Sequence, residues 1–321
     1  MPRCVAGSPP GGSAVSERFL RRPGARFAGL ALLVTVAGAG CRTAGHAPAV
    51  APAAPVPVAT AGIPSPLHLA KLDSVLWFQT SEEARQLQRQ AFLAARRALD
   101  QALADPAWSA LGQGTSAAPL PVAVIADVDE TLLDNSAFEG WMLRRDSDFS
   151  AEAWTAWVEA AEARPLAGAV EFARYLAERG VTLFYVTNRD AEHEAATRDN
   201  LARVGFPMRQ DVDVLLLRHE RPEWQSDKES RRAHVAASYR VALLLGDDLN
   251  DFLSGARGAS VDERRRLAEA AADRFGTSWF LLPNPTYGSW EGALTAGEQK
   301  PGGPDEALAR RLARLRAFEA P

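Results

Sequence analysis

From residue 122 to residue 282 the chain alternates short apolar runs with longer stretches of helical periodicity, and that alternation restricts it to very few folds. Residues 122–126, Val-Ala-Val-Ile-Ala, make one strand candidate, and 181–186, 212–217, 241–245 and 279–282 repeat the type. Between them, 151–163, 168–179, 191–204, 228–238 and 261–275 carry helical spacing. Gly180 and Gly205 stand where two of these helices need a stop, because glycine accepts the left-handed backbone of a C-cap at little cost. Strand and helix in alternation imply an α/β fold, a parallel sheet with helices on both faces. In such sheets ligands bind beyond the carboxyl ends of the strands, so the residues just past each strand are the ones to read for chemistry.

Those residues are acids. The first strand runs straight into Asp127-Val128-Asp129-Glu130-Thr131, and the strand at 241–245 into Gly246-Asp247-Asp248-Leu249-Asn250-Asp251. Residues two apart in extended backbone share a face, so Asp127 and Asp129 point the same way. Convergence of Asp127, Asp129, Asp247 and Asp251 would be strongly repulsive without a divalent cation, and an all-oxygen ligand set suits Mg²⁺ better than zinc. The strand at 181–186 ends in Thr187-Asn188-Arg189, offering a hydroxyl and an amide, and Lys228 opens the helix after the next strand. An acid to attack, a second acid, a hydroxyl, an ammonium and a metal are what a phosphoryl group requires. Taken singly, Asp127 or Thr187 could be a helix N-cap, Lys228 a solvated surface charge, and Asp248 a cap or supporting group. Their ordered placement at successive strand ends is what capping alone does not produce.

The ordered set Asp-x-Asp-x-Thr, Thr after a second strand, a later Lys and Gly-Asp-Asp-x-x-x-Asp resembles the haloacid dehalogenase (HAD) superfamily. Ile125-Ala126-Asp127-Val128-Asp129-Glu130-Thr131-Leu132-Leu133-Asp134-Asn135 and Leu245-Gly246-Asp247-Asp248-Leu249-Asn250-Asp251-Phe252 look like the paired signatures of its class C acid phosphatases. The likeness continues in 184–189 and 282–290 and spans roughly residues 70–315. It implies a HAD-like Rossmannoid sheet with a small helical subdomain made from flanks at 67–104 and 303–318. It further implies an aspartyl-phosphate on Asp127, with Asp129 as proton donor and then acceptor. Mg²⁺ would be held by Asp127, the Asp129 carbonyl and Asp247, with Asp251 close behind through water, and the phosphate by Thr187, Asn188 and Lys228. Because Asp129 must start protonated, an acid pH optimum is expected. In relatives, aromatics at the positions of Phe138, Trp154 and Tyr287 clamp a nucleoside base; Phe138 replaces the family's usual Tyr, so stacking survives there without the hydroxyl. Trp157 reads as core. The implied activity is hydrolysis of phosphomonoesters, 5′-nucleotides and aryl phosphates among them. The alternatives are a phosphotransferase using the same intermediate, or a surface lipoprotein that binds a ligand without turnover.

The ends of the chain carry other information. Arg18, Arg21, Arg22 and Arg26, an apolar run at 27–37 and small residues up to Cys41 follow the order of a bacterial export signal. The run is too short to span a bilayer, which needs about 20 residues. Val36-Ala37-Gly38-Ala39-Gly40-Cys41 resembles a lipobox, although Gly38 stands where an aliphatic residue is usual, so Cys41 is the expected lipidation site. Residues 41–66, rich in Ala, Pro and Val, read as a tether, with the phosphatase domain at 67–321. The expected location is the cell envelope, as an outer-membrane lipoprotein or else a periplasmic or secreted protein. Residues 1–40 hold five Arg and one Glu, so their removal takes the formal charge from −4 to −8, which argues against a nucleic-acid polymer as partner. With only Cys4 and Cys41 in the sequence, no disulfide is available to the mature chain, and a domain of this size can fold without one. A homodimer stays open. The stretch 305–318, with Leu308, Leu312 and Leu315 among several Arg, has the spacing of an amphipathic helix expected to pack on the domain's own helices.

Overall fold

The computed structural model describes residues 63–299 and 301–318. The export signal, Cys41 and nearly all of the tether lie outside the described residues. Three helices lead in: α1 (Pro66–Leu69), α2 (Leu72–Thr80) and α3 (Glu82–Ala104). Ser81 caps α3, its Oγ accepting from the Ala84 N–H at 3.0 Å. Phe92, Ala95, Leu99 and Ala102 form its buried face, whereas Leu87 and Leu93 of the same apolar stretch remain exposed.

The core sheet follows, with β1 (Val122–Ala126), β4 (Thr182–Asp190), β5 (Leu215–Arg218), β6 (Arg240–Gly246) and β7 (Trp279–Leu281). Its order is β5-β4-β1-β6-β7, and every pairing is parallel. The chain builds outward from β1 through β4 to β5, then returns to the other side of β1 for β6 and β7. That reversal puts a switch point at β1 and β6, where a crevice opens beyond the strand ends. β1 and β6 are buried almost throughout, as strands covered on both faces must be.

Between β1 and β4 lie a two-residue antiparallel pair, β2 (Leu133–Asp134) with β3 (Arg164–Pro165), and the helices α4 (Ser136–Arg145), α5 (Ala151–Ala160) and α6 (Ala169–Glu178). α7 (Glu194–Arg203), α8 (Glu229–Ala236) and α9 (Val261–Glu269) make the later crossovers, and α10 (Ser289–Ala293) and α11 (Pro304–Ala313) close the described chain. α3 packs on α6, β6 and β7, and α8 on β4 and β6. Outside the sheet, α2 packs on α4 and α1 on α11. Several boundaries move. α5 stops at Ala160, because Ala161 turns left-handed at φ 51°; α9 stops at Glu269, short of 275. α11 packs on α1 without fully burying any residue, with Leu308 half-buried and Leu312, Leu315 and Phe318 facing solvent, so the expected packing on the domain's own helices is made only in part. Among the described residues no helix is long and apolar enough to cross a membrane.

Candidate active site

The two acid loops meet. Asp127 leaves β1 with its N–H donating to the Leu245 carbonyl of β6 at 3.0 Å, so the neighbouring strand ends are tied just where the acids begin. Carboxylate oxygens of Asp127, Asp247 and Asp251 all lie within 4.8 Å of one another. Gly246 permits this: a Cβ there would overlap the Asp251 side chain. Lys228, buried at the start of α8, bridges the cluster, donating to Asp127 Oδ1 and to Asp251 Oδ1, the latter at 2.6 Å. Asp247 is fixed from both sides, by Thr131 Oγ1 at 3.2 Å and Asn284 Nδ2 at 2.8 Å.

Charge in this cluster is costly. Burial above all, reinforced by Asp251 and Asp129 and opposed by Lys228, pushes Asp127 up to about 7. Burial, then Asp251 and Asp127, holds Asp247 well above the ordinary carboxylate range. Burial alone would lower Lys228, but the two acids beside it win and raise it. Three hard oxygen donors whose negative charge is underpaid by one ammonium fit a hard divalent cation.

Asp129 does not join the three. It turns into a donor cage: Oδ1 accepts from Arg189 Nη2 and Asn135 Nδ2, each at 2.8 Å, and Oδ2 from the Thr187 hydroxyl at 3.3 Å. Thr187 and Arg189 share a strand face because β4 runs on to Asp190 rather than ending at Val186. Arg189 is almost fully buried and was given no role by the sequence. Asn135 was missed as well; it also accepts from Trp157 Nε1 at 2.8 Å, so the tryptophan read as core doubles as a hydrogen-bond donor. Behind them sits Glu130, fully buried at φ 55°, accepting from the Asn135 N–H at 2.6 Å and from the Tyr287 hydroxyl. Burial and the nearby Asp129 and Asp247 hold Glu130 well above its ordinary range.

Asn188, Lys228, Phe138, Trp154 and Tyr287 line one cavity of about 960 Å³ together with Asp127, Asp129, Asp247 and Asp251. Thr187 stands behind it, spent on Asp129. Both ends of the Asn188 amide already have partners, Ser226 O at 3.0 Å and Arg231 Nη2 at 2.6 Å. Arg231, wholly buried, also donates to the Thr187 carbonyl and so pins this strand end; burial pulls it down to about 10. Phe138 is buried within an aromatic cluster, edge-on to Trp154 at 5.3 Å and stacked on Trp141 at 5.9 Å. Phe149, 62% exposed and 6.2 Å from Phe138, is the open ring of that cluster, and no periodicity or motif pointed to it. Asp248 is a cap: burial would raise it, but the N–H groups of Asn250 and Ser289 bring it below the ordinary value.

A parallel sheet with its acids at the ends of two adjacent strands defines a HAD-like α/β protein. The chain belongs to the family described as HAD superfamily, subfamily IIIB (Acid phosphatase), whose model matches residues 49–290. The class C acid phosphatase from Bacillus anthracis is 32% identical, with 79% of this chain and 99% of that one aligned at a TM-score of 0.68. The same enzyme with tungstate bound aligns at 0.69 over the same shares. Acid phosphatase 1 of Solanum lycopersicum is 29% identical over 167 residues, 51% of this chain, and the match spans 57% of the tomato protein's length.

Proposed function

We propose that the chain is an acid phosphatase that hydrolyses small phosphomonoesters through a covalent phosphoaspartate at Asp127. The observation that carries the reading is the Asp127–Asp247–Asp251 cluster bridged by Lys228 at the switch point of the sheet. Asp127, Asp247 and Asp251, with the Asp129 carbonyl, would hold Mg²⁺, which when bound offsets negative charge around the phosphoryl group. An Asp127 carboxylate oxygen attacks phosphorus, and the bond to the leaving oxygen breaks. Asp129, held by Arg189 and Asn135, hands that oxygen a proton. It then takes one from the water that attacks phosphorus, so inorganic phosphate leaves and the Asp127 carboxylate returns. Dividing the displacement this way replaces one hard step with two easier ones. Lys228 draws charge from the transferring oxygens, and Arg231 pins the Thr187–Asn188 strand end that carries the hydroxyl holding Asp129.

The aromatic wall supports nucleotides and aryl phosphates as substrates, since every base has a face to stack, at about 1–3 kcal/mol per base. The signal-like order of residues 1–40 supports export, and Cys41 lipidation as the anchor. Intact mass of the mature protein extracted from membranes tests this: an N-terminal diacylglyceryl-cysteine is expected, and an unmodified or absent Cys41 would refute it. The activity itself is tested with Asp127→Asn and p-nitrophenyl phosphate plus Mg²⁺. No turnover is expected from the variant; retention of most of the rate would end this reading.

A further inference from the structure

α4 turns one face to the cavity, made of Phe138, Glu139, Met142 and Leu143. Three of these four side chains are apolar and one is a carboxylate. Glu139 is only 6% exposed. Its carboxylate has no hydrogen-bond or ion-pair partner among the described residues. Lys71, which lines the same cavity, makes its ion pair with Glu291 at 3.6 Å, and Glu291 also takes Arg311 at 2.8 Å. Burial pushes Glu139 above its ordinary range, with the Lys71 field only partly opposing it. The Glu139 oxygens open onto the cavity rather than being sealed in the interior, so solvent or a bound ligand is what serves them, and a ligand that displaces the solvent must offer a donor or leave them unpaired.

We infer that Glu139 is a specificity-determining residue, the acceptor for an N–H donor carried on the leaving group of the substrate. The inference rests on the phosphatase reading, because the phosphoryl end must sit among Asp127, Asp247 and Lys228 for the rest of the ester to extend along α4. The apolar side chains beside Glu139 take the body of the leaving group, an aromatic ring above all. The Glu139 carboxylate, which has no ion pair among the described residues, then selects among rings of similar size, whereas Glu291 on the same cavity is taken by Lys71 and Arg311. A site that aligns an acceptor for a donor discriminates sharply against the analogue lacking it, since binding that analogue leaves the acceptor dry and unpaired. One carboxylate on an apolar wall is too few ligands for a metal ion.

Two substrate pairs matched in shape test it: 4-carbamoylphenyl against 4-acetylphenyl phosphate for a neutral donor, and 4-(aminomethyl)phenyl against 4-ethylphenyl phosphate for a cationic one. The readout is the ratio of kcat/KM within each pair, compared between the native chain, Glu139→Met and Glu139→Gln, so that differences in leaving-group electronics cancel. In at least one pair the native chain is expected to favour the donor by about tenfold or more, and Glu139→Met to lose that preference. Removing a carboxylate whose charge burial disfavours should also raise the Tm. A ratio that is the same in the native chain and both variants, for both pairs, overturns the inference. So does a fall in Tm with the ratios unchanged, which would make Glu139 an internal partner of Lys71. Absence of turnover on all four esters would instead strike at the phosphatase reading itself.

Discussion

Replacing Asp129 with Asn separates the two chemical steps proposed for this site. The substitution is nearly isosteric, and the amide oxygen can occupy the place of Oδ1, which accepts from Arg189 Nη2 and Asn135 Nδ2, each at 2.8 Å. Two things go: the negative charge facing a buried guanidinium, and the proton. The first weakens a charge-assisted contact worth about 1.5–3 kcal/mol, so the Tm falls while the fold survives. The second falls unequally on substrates. A p-nitrophenolate leaves without a proton, whereas the alkoxide of glycerol phosphate does not. General acid catalysis contributes about 10²–10⁴ in rate, so kcat/KM for glycerol phosphate should fall by that factor, about 3–5 kcal/mol of barrier. For p-nitrophenyl phosphate kcat/KM should fall far less, because it reports the first step. The second step loses its base on either substrate. Stopped-flow absorbance should therefore show a burst of p-nitrophenol approaching one per active site, followed by slow turnover. Equal losses in kcat/KM on both substrates, with no burst, would refute Asp129 as the proton donor.

The same structure fixes three further outcomes. A carboxyl whose pKa rises on folding contributes stability below its unfolded value and loses it as pH climbs to the folded one. For Asp127 that window runs from an ordinary 3.8 to about 7; Asp247 and Glu130 shift in the same direction. The chelated protein should thus lose Tm as pH rises across that window and regain more from Mg²⁺ at its upper end; a pH-independent Mg²⁺ effect would contradict this. Lys228→Met strips Asp127 and Asp251 of their shared buried cation, so activity should vanish and stability drop by about 3–5 kcal/mol in denaturant titration; an unchanged midpoint would contradict it. Tyr287→Phe keeps the ring at the cavity but leaves Glu130 short of a donor, at about 1–3 kcal/mol of stability; a nucleotide KM that rises with no change in Tm would place the hydroxyl on the substrate instead.

What the sequence showed and what it hid follow one division. Acids that end a buried apolar strand are legible, because the strand is local and the fold rule says where its end must lie; Asp127, Asp247 and Asp251 came from that alone. The cage around Asp129 is not local. Arg189 is 60 residues from Asp129, and Tyr287 is 157 from Glu130. Thr187-Asn188-Arg189 looked like the start of a loop because polar side chains are poor interior residues until each has a partner. Asp129, Ser226 and Arg231 supply those partners, so β4 continues. α4 escaped notice for a related reason: its buried side includes Ser136 and Glu139 beside Phe138 and Met142, which blurs the apolar spacing. The period-two placement of Thr187 and Arg189 was a usable signal, had the strand been read as running on.

Rapid acid quench of the enzyme during turnover, followed by borohydride reduction and peptide mass mapping, tests the central claim most directly. An acyl phosphate on Asp127 is reduced to homoserine, so homoserine at position 127 is the expected result. Homoserine at 129, 247 or 251, or none at any aspartate in an actively turning-over sample, would contradict it.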